Sequence, residues 1–369
     1  MRVKLGDVCE RGSSNLKQSD VCEMKGDYPI YGASGYIGNV DFYHQEKPYV
    51  AVVKDGAGIG RTTLHPAKSS VIGTMQYLLP KENVLPEYLF YVVSYMHLEK
   101  YFTGATIPHI YFKDYKNEEF NLDSIEKQAE IVDVLGRCQQ VIEKRKREMQ
   151  LLDDLIKARF VEMFGDPIQN PKGWDMPLIE EVVANEKNAL KAGPFGSALK
   201  KEYYVTSGYK IYGQEQVISG DCTFGDYYID EERYKSLENC AVQAGDVLIS
   251  LVGTYGKLLI MPEVFEPGII NPRLMKITFD KEKINPYYFK FFFQSESLKR
   301  ALSENTHGGT MDILNLGIVR KIAMPLPPLK LQNEFADFVN QIDKSKVAVK
   351  KALDETQMLF DSLMQKYFA

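Results

Sequence analysis

The stretch that decides the fold of this chain is SIEKQAEIVDVLGRCQQVIEKRKREMQLLDDLIKARFVEMF, residues 124–164. Apolar residues recur along it at heptad spacing in two adjoining rows: Leu135, Ile142, Met149, Ile156 and Met163 in one, and Ile131, Cys138 and Leu152 in the other. Mixed charges fill the positions between the rows, and no proline interrupts the stretch before Pro167. This pattern predicts one helix of about 40 residues, roughly 60 Å long, that packs lengthwise on another helix.

A second copy of this helix lies at the C-terminal end of the chain. Gln128 matches Gln332, an offset of 332 − 128 = 204 residues, and the same offset holds without a gap from residue 106 to residue 164. A looser match continues upstream, where residues 28–32 (YPIYG) resemble residues 209–213 (YKIYG) at an offset of 181. Internal repeats of this kind define the architecture, and here the order is variable domain, helix, variable domain, helix.

The repeat predicts four parts with defined boundaries: a variable domain at 1–123, a spacer helix at 124–164, a second variable domain at 165–327 and a second spacer helix at 328–369. Aromatic and β-branched runs separated by Gly- and Asn-rich turns predict that each variable domain is α+β and mostly strand. Antiparallel packing of the two helices, as a coiled coil with a pseudo-twofold axis, needs only the short connections that the sequence offers. Two similar domains in this arrangement suit duplex DNA, whose strands present sites related by a twofold axis.

Composition limits the remaining possibilities. No apolar run approaches the length needed to cross a bilayer, so no membrane partner is expected. The five cysteines are widely spaced and form no Cys-x-x-Cys pair, which favours a reducing cytoplasm. A net charge of −5 gives no overall attraction to nucleic acid, so DNA binding has to come from local basic loops.

Two motifs invite a catalytic or nucleotide-binding interpretation. The glycine-rich run at 55–61 follows a strand signal but lacks the Gly-x-Gly-x-x-Gly spacing, which favours a tight strand-to-strand turn. The run at 285–288 (NPYY) resembles the Asn-Pro-Pro-Tyr motif of amino-group DNA methyltransferases, but Asn as N-cap with Pro at the first helical position explains it as a helix start. The five histidines show no metal-ligand spacing. We therefore predict no catalytic residues, no metal site and no enzyme activity for this chain.

Polar and basic loops at equivalent places in the two variable domains are the candidate DNA-binding surface, because such side chains read base edges or hold phosphates. In the first domain the candidates are Arg11, Ser13, Lys17, Ser34, Tyr36, Lys54, Arg61 and His109. In the second domain they are Lys191, Ser197, Lys200, Lys201, Gln214, Gln216, Tyr255, Lys257 and His307. The alternative for each residue is a solvated loop side chain with no ligand.

Several short runs of residues resemble the specificity (S) subunit of type I restriction–modification enzymes. They are residues 193–199 (GPFGSAL), residues 106–110 (TIPHI) and residues 325–329 (PLPPL) at the start of the second spacer helix. The resemblance covers essentially the whole chain. The first domain departs from it, because GSS at 12–14 stands where the second domain has GPFGS, so that loop is not carried over residue by residue.

The resemblance implies that each variable domain is a target recognition domain that reads one half of a split site in double-stranded DNA. It also implies that the helices act as a molecular ruler and dock two methyltransferase (M) subunits, which motor-nuclease (R) subunits then join. S-adenosylmethionine, ATP and magnesium would belong to those partners, and this chain would bind no cofactor. Two alternatives remain open: a methyltransferase or nuclease with unrecognised motifs, and a scaffold between proteins that does not touch DNA.

Overall fold

The structure of the chain is a computed structural model that describes residues 1–104, 108–251, 256–304 and 314–369. Its internal contacts divide the chain into two units. The first contains Met1–Glu148 and Val349–Ala369, and the second contains Met149–Ala348. No helix among the described residues is both long enough and apolar enough to span a membrane.

The first unit is built around two small sheets and a helix that covers one of them. Its elements in chain order are β1 (Arg2–Lys4), α1 (Leu5–Val8), β2 (Cys9–Ser13), α2 (Gln18–Val21), β3 (Tyr28–Gly32), β4 (Gly35–Val40), β5 (Tyr49–Val53), β6 (Thr62–His65), β7 (Ser70–Val71), β8 (Met75–Pro80), α3 (Pro86–Tyr95), a 3-10 helix (Leu98–Tyr101), α4 (Phe112–Tyr115), β9 (Glu119–Asn121) and the long helix α5 (Ile125–Phe164). One sheet is antiparallel with strand order β2-β8-β5-β6, and the other has order β4-β3-β7 with β3 and β7 parallel. Strands β1 and β9 form a separate antiparallel pair just before α5.

The second unit repeats this plan with other loops. Its elements are a 3-10 turn (Ile179–Glu181), β10 (Leu190–Ala192), two 3-10 turns (Gly196–Ala198 and Lys201–Tyr203), β11 (Tyr204–Val205), β12 (Tyr209–Tyr212), α6 (Gln214–Ser219), β13 (Tyr228–Ile229), α7 (Glu231–Ser236), a 3-10 turn (Glu238–Cys240), β14 (Val247–Ser250), β15 (Leu258–Ile260), β16 (Gly268–Ile270), β17 (Leu274–Ile277), α8 (Pro286–Phe293), α9 (Glu296–Glu304), α10 (Leu316–Arg320) and the long helix α11 (Leu329–Phe368). One sheet is antiparallel with order β10-β17-β14-β15, and the other has order β11-β13-β12-β16 with β12 and β16 parallel.

The internal repeat is therefore visible in the topology. The order β2-β8-β5-β6 corresponds strand for strand to β10-β17-β14-β15, and the parallel pair β3/β7 corresponds to β12/β16. In both units a helix that starts with proline, α3 or α8, follows the sheet and precedes the long helix. The predicted α+β fold with two similar, mostly-β halves and two long helices is confirmed.

Each long helix has residues in both units, and within each unit the two helices run antiparallel. In the first unit Ile131 and Leu135, near the start of α5, share one core with Phe368 at the end of α11. In the second unit Phe160, near the end of α5, lies with its ring centroid 5.5 Å from that of Phe335 near the start of α11. Because the start of one helix meets the end of the other in each case, the predicted antiparallel coiled coil is confirmed.

A buried glutamine fixes the start of α5 to the first unit. The side chain of Gln128 accepts a hydrogen bond from the Leu85 N–H at 2.8 Å. Its amide nitrogen donates to the carbonyls of Asn83 at 3.0 Å and Asp123 at 2.9 Å. The helix is thereby tied to the loop that opens α3.

Gln332 does the same at the start of α11. Its side-chain oxygen accepts from the Asn285 N–H at 2.9 Å, and its amide nitrogen donates to the carbonyls of Lys283 at 2.9 Å and Pro327 at 2.8 Å. Both glutamines are fully buried. The offset of 204 residues thus preserves a three-bond attachment between each long helix and its own unit.

Candidate nucleic-acid interface

The connection between β5 and β6 forms one border of the candidate surface in the first unit. It spans residues 54–61 and turns the chain back into an antiparallel pair, as the glycine-rich run predicts. Gly60 has φ +80°, and a Cβ there would lie 2.5 Å from the backbone nitrogen of Glu99, so only glycine fits. The turn is held tightly against the rest of the unit.

Two of the predicted residues, Lys54 and His109, meet at this turn. The His109 ring lies with Nδ1 2.5 Å from Oδ1 of Asp55. The Gly56 N–H donates to the Pro108 carbonyl at 3.0 Å, which fixes the same two segments through the backbone. Lys54 stands beside Asp55, with its Nζ 3.9 Å from that carboxylate. Asp55 is not among the sequence-based candidates, because nothing in the sequence pairs it with His109. The pairing exists only once the two segments come together.

The turn between β3 and β4 joins the same edge. The Arg61 guanidinium donates a hydrogen bond to the Ala33 carbonyl, so the turn that carries Ser34 lies next to the β5–β6 connection. Ser34 is exposed, and Tyr36 is 62% exposed with its hydroxyl donating to Asn39 at 3.0 Å. The structure therefore brings five predicted residues together: Ser34, Tyr36, Lys54, Arg61 and His109.

The remaining candidates of the first unit lie along β2 and just after it. Arg11 is exposed and pairs in register with Leu78, and Ser13 is exposed and pairs with Gln76. Lys17 is exposed at the start of α2. The Gly73 N–H donates to the Leu16 carbonyl at 2.8 Å, which places Lys17 close to the β7–β8 connection, whereas Arg11 lies further along the sheet.

In the second unit the loop that begins with Gly193 is held against the connection between β16 and β17. A Cβ on Gly193 would lie 1.9 Å from the Asn271 carbonyl oxygen, and the Gly193 N–H donates to Leu274 at 2.9 Å. Only glycine allows this approach of two backbones. The loop then presents Phe195, 91% exposed, and the exposed Ser197.

Gln214 lies at the same edge, but its amide is already engaged. Its nitrogen donates to the Ser250 hydroxyl at 2.8 Å, and its oxygen accepts from Nη1 of Arg273 at 3.3 Å. The Ser250 N–H donates to the Lys257 carbonyl at 3.2 Å, which brings the exposed Lys257 to the same place. Arg273 is absent from the sequence-based set, although an arginine in a turn between two strand signals is a recognisable feature.

Gln216 is not available to DNA. It is 1% exposed, its oxygen accepts from the Gly213 N–H at 2.7 Å, and its nitrogen donates to the Phe224 carbonyl at 2.7 Å. The residue caps the start of α6 from inside, because the third residue of this short helix points into the core. The prediction that Gln216 contacts DNA is therefore wrong, because the side chain is buried.

Lys191 lies within the sheet, away from the loop edge. It is half-buried in β10 and pairs in register with Lys276. Lys276 reaches the Asp246 carboxylate at 3.1 Å, and burial raises the pKa of Asp246 against the lowering effect of this cation. This buried pair belongs to the sheet, and the half-burial of Lys191 makes it a weak candidate for DNA contact.

Lys200 and Lys201 are both exposed, next to the 3-10 turn Lys201–Tyr203. Their Nζ atoms form no ion pair with a described carboxylate. Tyr255 and His307 lie outside the described residues, as do the whole run at 305–310 and parts of the runs at 106–110 and 252–257.

The methyltransferase-like run is a helix start. The Asn285 side chain accepts from the Tyr287 N–H at 2.9 Å as N-cap of α8, and it donates to Asn333 at 2.9 Å. Pro286 occupies the first turn. Within the described part of the chain, no group of three or more His, Cys, Asp or Glu side chains is arranged to hold a metal ion.

Comparison with known proteins identifies the family. A family model described as the type I restriction modification DNA specificity domain matches residues 1–152 and 171–356. The chain belongs to this family. Two relatives from Methanocaldococcus jannaschii are similar over most of their length: the type I restriction enzyme MjaVIII specificity subunit (22% identity, 80% of this chain and 72% of the relative) and the MjaIX specificity subunit (20% identity, 78% and 69%).

Solved structures show the same fold at low identity. The S subunit of a type I restriction–modification system from M. genitalium aligns over 100% of this chain and 96% of its own length, with a TM-score of 0.61 and 15% identity. A chain from a structure concerned with assembly and conformational transition of the type I R-M system aligns over 100% and 97%, with a TM-score of 0.55 and 17% identity. Membership of the specificity family confirms the resemblance drawn from the sequence and the prediction of a non-catalytic specificity component.

Proposed function

We propose that this chain reads a bipartite site in duplex DNA as the specificity subunit of a type I restriction–modification complex. The observation that carries the proposal is that the two units share the same sheet backbone but carry different polar side chains in their loops. The backbone bond from Lys54 N–H to the Thr74 carbonyl (3.0 Å) in the first unit is matched by the bond from Leu251 N–H to the Arg273 carbonyl (2.9 Å) in the second. One frame that carries different side chains at its edge is what two half-sites of different sequence require.

In this proposal, the target recognition domains are residues 1–123 and 165–327, and the spacer helices are residues 124–164 and 328–369. The helix α5 is 40 residues long without a break, which supports a ruler that fixes the distance between half-sites. Each recognition domain is attached to its spacer helix by Gln128 or Gln332, so the orientation of the reading edge is transmitted to the helix through buried hydrogen bonds.

The spacer helices are the surface that we propose for two methyltransferase subunits. In α5, Val134, Val141 and Leu155 are exposed, and they are separated by multiples of seven residues, as in a coiled-coil seam. In α11, Val347 is 70% exposed and Met358 is 64% exposed. Apolar side chains left in solvent on a helix that already has one packed seam support a second helical partner.

Motor-nuclease subunits would join this core, and the cofactors of methyl transfer and translocation would bind to the partners. We propose a cytoplasmic location, where the DNA lies and where the five free cysteines remain reduced.

The experiment that tests the function is methylome sequencing of cells that express this chain with its methyltransferase partner. The expected result is one split methylated sequence with a constant spacing. A continuous motif, or methylation that does not depend on this chain, would contradict bipartite reading. Methyl transfer by the purified chain alone would favour the enzyme alternative, and an assembled complex that binds no duplex would favour the scaffold.

A further inference from the structure

Arg273 stands at the centre of the loop edge of the second unit. It lies in the connection between β16 and β17, and its side chain is exposed. Around it are the Gly193 loop, the end of β14 and the start of α6, which the contacts of Asn271, Ser250 and Gln214 bring together. Three other segments thus lie beside the turn that carries Arg273, and one of them, the start of α6, contacts its guanidinium through Gln214.

The backbone of Arg273 is fixed on both sides. Its N–H donates to the Asn271 side chain at 2.9 Å, and its carbonyl accepts from the Leu251 N–H at 2.9 Å. The following Leu274 N–H donates to the Asn271 carbonyl at 3.1 Å. The side chain therefore leaves the protein from a rigid base, which lowers the entropy cost of binding a ligand.

The guanidinium is oriented by an amide. Its Nη1 donates to Gln214 at 3.3 Å, and Gln214 is in turn held by the Ser250 hydroxyl, whose residue is 1% exposed. No described carboxylate forms an ion pair with Arg273. A neutral partner leaves the positive charge available to a ligand, and it leaves other N–H donors of the planar fork to pair with that ligand.

The equivalent position in the first unit carries a different side chain. The matched backbone bonds of the two units place Thr74 where the second unit has Arg273. At this point the first unit therefore has a buried threonine hydroxyl instead of an exposed guanidinium. The Arg273 backbone is therefore part of the arrangement that both units share, whereas its side chain is one of the features by which they differ.

We propose that Arg273 recognises a guanine in the half-site read by the second unit and that Gln214 positions its guanidinium. This inference rests on the proposed function. The paired N–H groups of arginine match the O6 and N7 acceptors that guanine presents in the major groove. Gln214, which the sequence suggested as a base contact, is assigned here as the positioning residue.

The test uses the chain assembled with its methyltransferase partner and a duplex library in which both half-sites are randomised. Arg273→Ala should reduce the preference for guanine at one position of one half-site by about 10- to 100-fold, with the other half-site unchanged. Gln214→Ala should reduce the same preference less, and the double variant should lose no more than Arg273→Ala. Arg273→Lys keeps the charge but removes the planar fork, so it should weaken the guanine preference by less than Arg273→Ala does. Lys281→Ala removes an exposed cation beyond the opposite end of β17 and is the matched control.

Two results would overturn the inference. The first is an unchanged guanine preference in Arg273→Ala while the wild-type complex still selects a split site, which leaves the proposed function intact. The second is uniform weakening over all sequences, with the slope of log affinity against log salt reduced by about one, which marks Arg273 as a phosphate-binding residue. A wild-type complex that selects no split site would instead refute the proposed function itself.

Discussion

Replacing Gln332 with alanine should destabilise the second unit strongly. The substitution removes three hydrogen bonds at once and leaves the Asn285 N–H and the carbonyls of Lys283 and Pro327 without their partner. One buried polar group left unsatisfied costs about 1–3 kcal/mol. Since a water molecule can satisfy part of the vacated space, we expect a decrease of about 2–4 kcal/mol in the free energy of unfolding.

The measurement is thermal and urea unfolding of the wild-type chain and the variant. For a unit of this size, about 1 kcal/mol corresponds to a shift of roughly 2–4 °C in Tm, so the expected decrease is about 5–15 °C. Gln341→Ala is the matched control, because Gln341 is an exposed glutamine on the same helix. It should change the free energy of unfolding by less than about 0.5 kcal/mol.

Gln332→Glu separates hydrogen bonding from size. The carboxylate retains an acceptor for the Asn285 N–H but faces two carbonyl oxygens that require a donor. The buried carboxyl should therefore have a raised pKa, and the variant should recover stability as the pH falls and the group becomes protonated. Equal stability of the alanine variant and the Gln341 control would refute the view that this residue attaches the helix to its unit.

Three other perturbations address the reading loops, the spacer and the first unit. Lys200→Ala with Lys201→Ala should lower the salt slope of DNA binding by about one for each lysine–phosphate interaction that is removed, and an unchanged slope would exclude these lysines from the interface. Insertion of one heptad into α5 should change the spacing between half-sites or prevent assembly while the bases read stay the same; a new half-site sequence at the old spacing would contradict the ruler. Burial lowers the pKa of His65 to about 4, so the unfolded chain takes up a proton near pH 6.5 before the folded one does. Stability should fall by about 3 kcal/mol as the pH drops from 6.5 to 4, and urea titrations of His65→Gln over this range should show a smaller decrease.

The long helices were predictable because their information is local. Heptad spacing, continuous helix-forming residues and the absence of proline specify α5 from its own sequence. Asn285 with Pro286 likewise specifies the start of α8 within a few residues. In these places the sequence predicts where the helix lies, and the structure adds the residues that it contacts.

The attachment of the helices was not predictable in the same way. Gln128 and Gln332 occupy positions in a helical pattern where glutamine normally faces solvent, and their burial depends on loops more than 40 residues earlier in the chain. The only signal was their coincidence at the offset of 204 residues, since a glutamine retained in both copies has the same task in both. Gln216 is the opposite case, because a polar residue beside a loop predicts a surface group, whereas this residue is buried and caps α6 from within.

The loop edges that we propose as reading surfaces share one backbone arrangement and differ in their side chains. The bonds from Lys54 to Thr74 and from Leu251 to Arg273 are made by backbone atoms, so they persist whatever side chains stand there. The first unit places a cation on one side of that bond, at Lys54, and the second places it on the other side, at Arg273. Because the frame is kept by the backbone and by the buried glutamines, side chains at the edge are free to change while the fold is retained. That division explains why the sequence match is strong through the helices and weak through the loops, where we propose that the target is read.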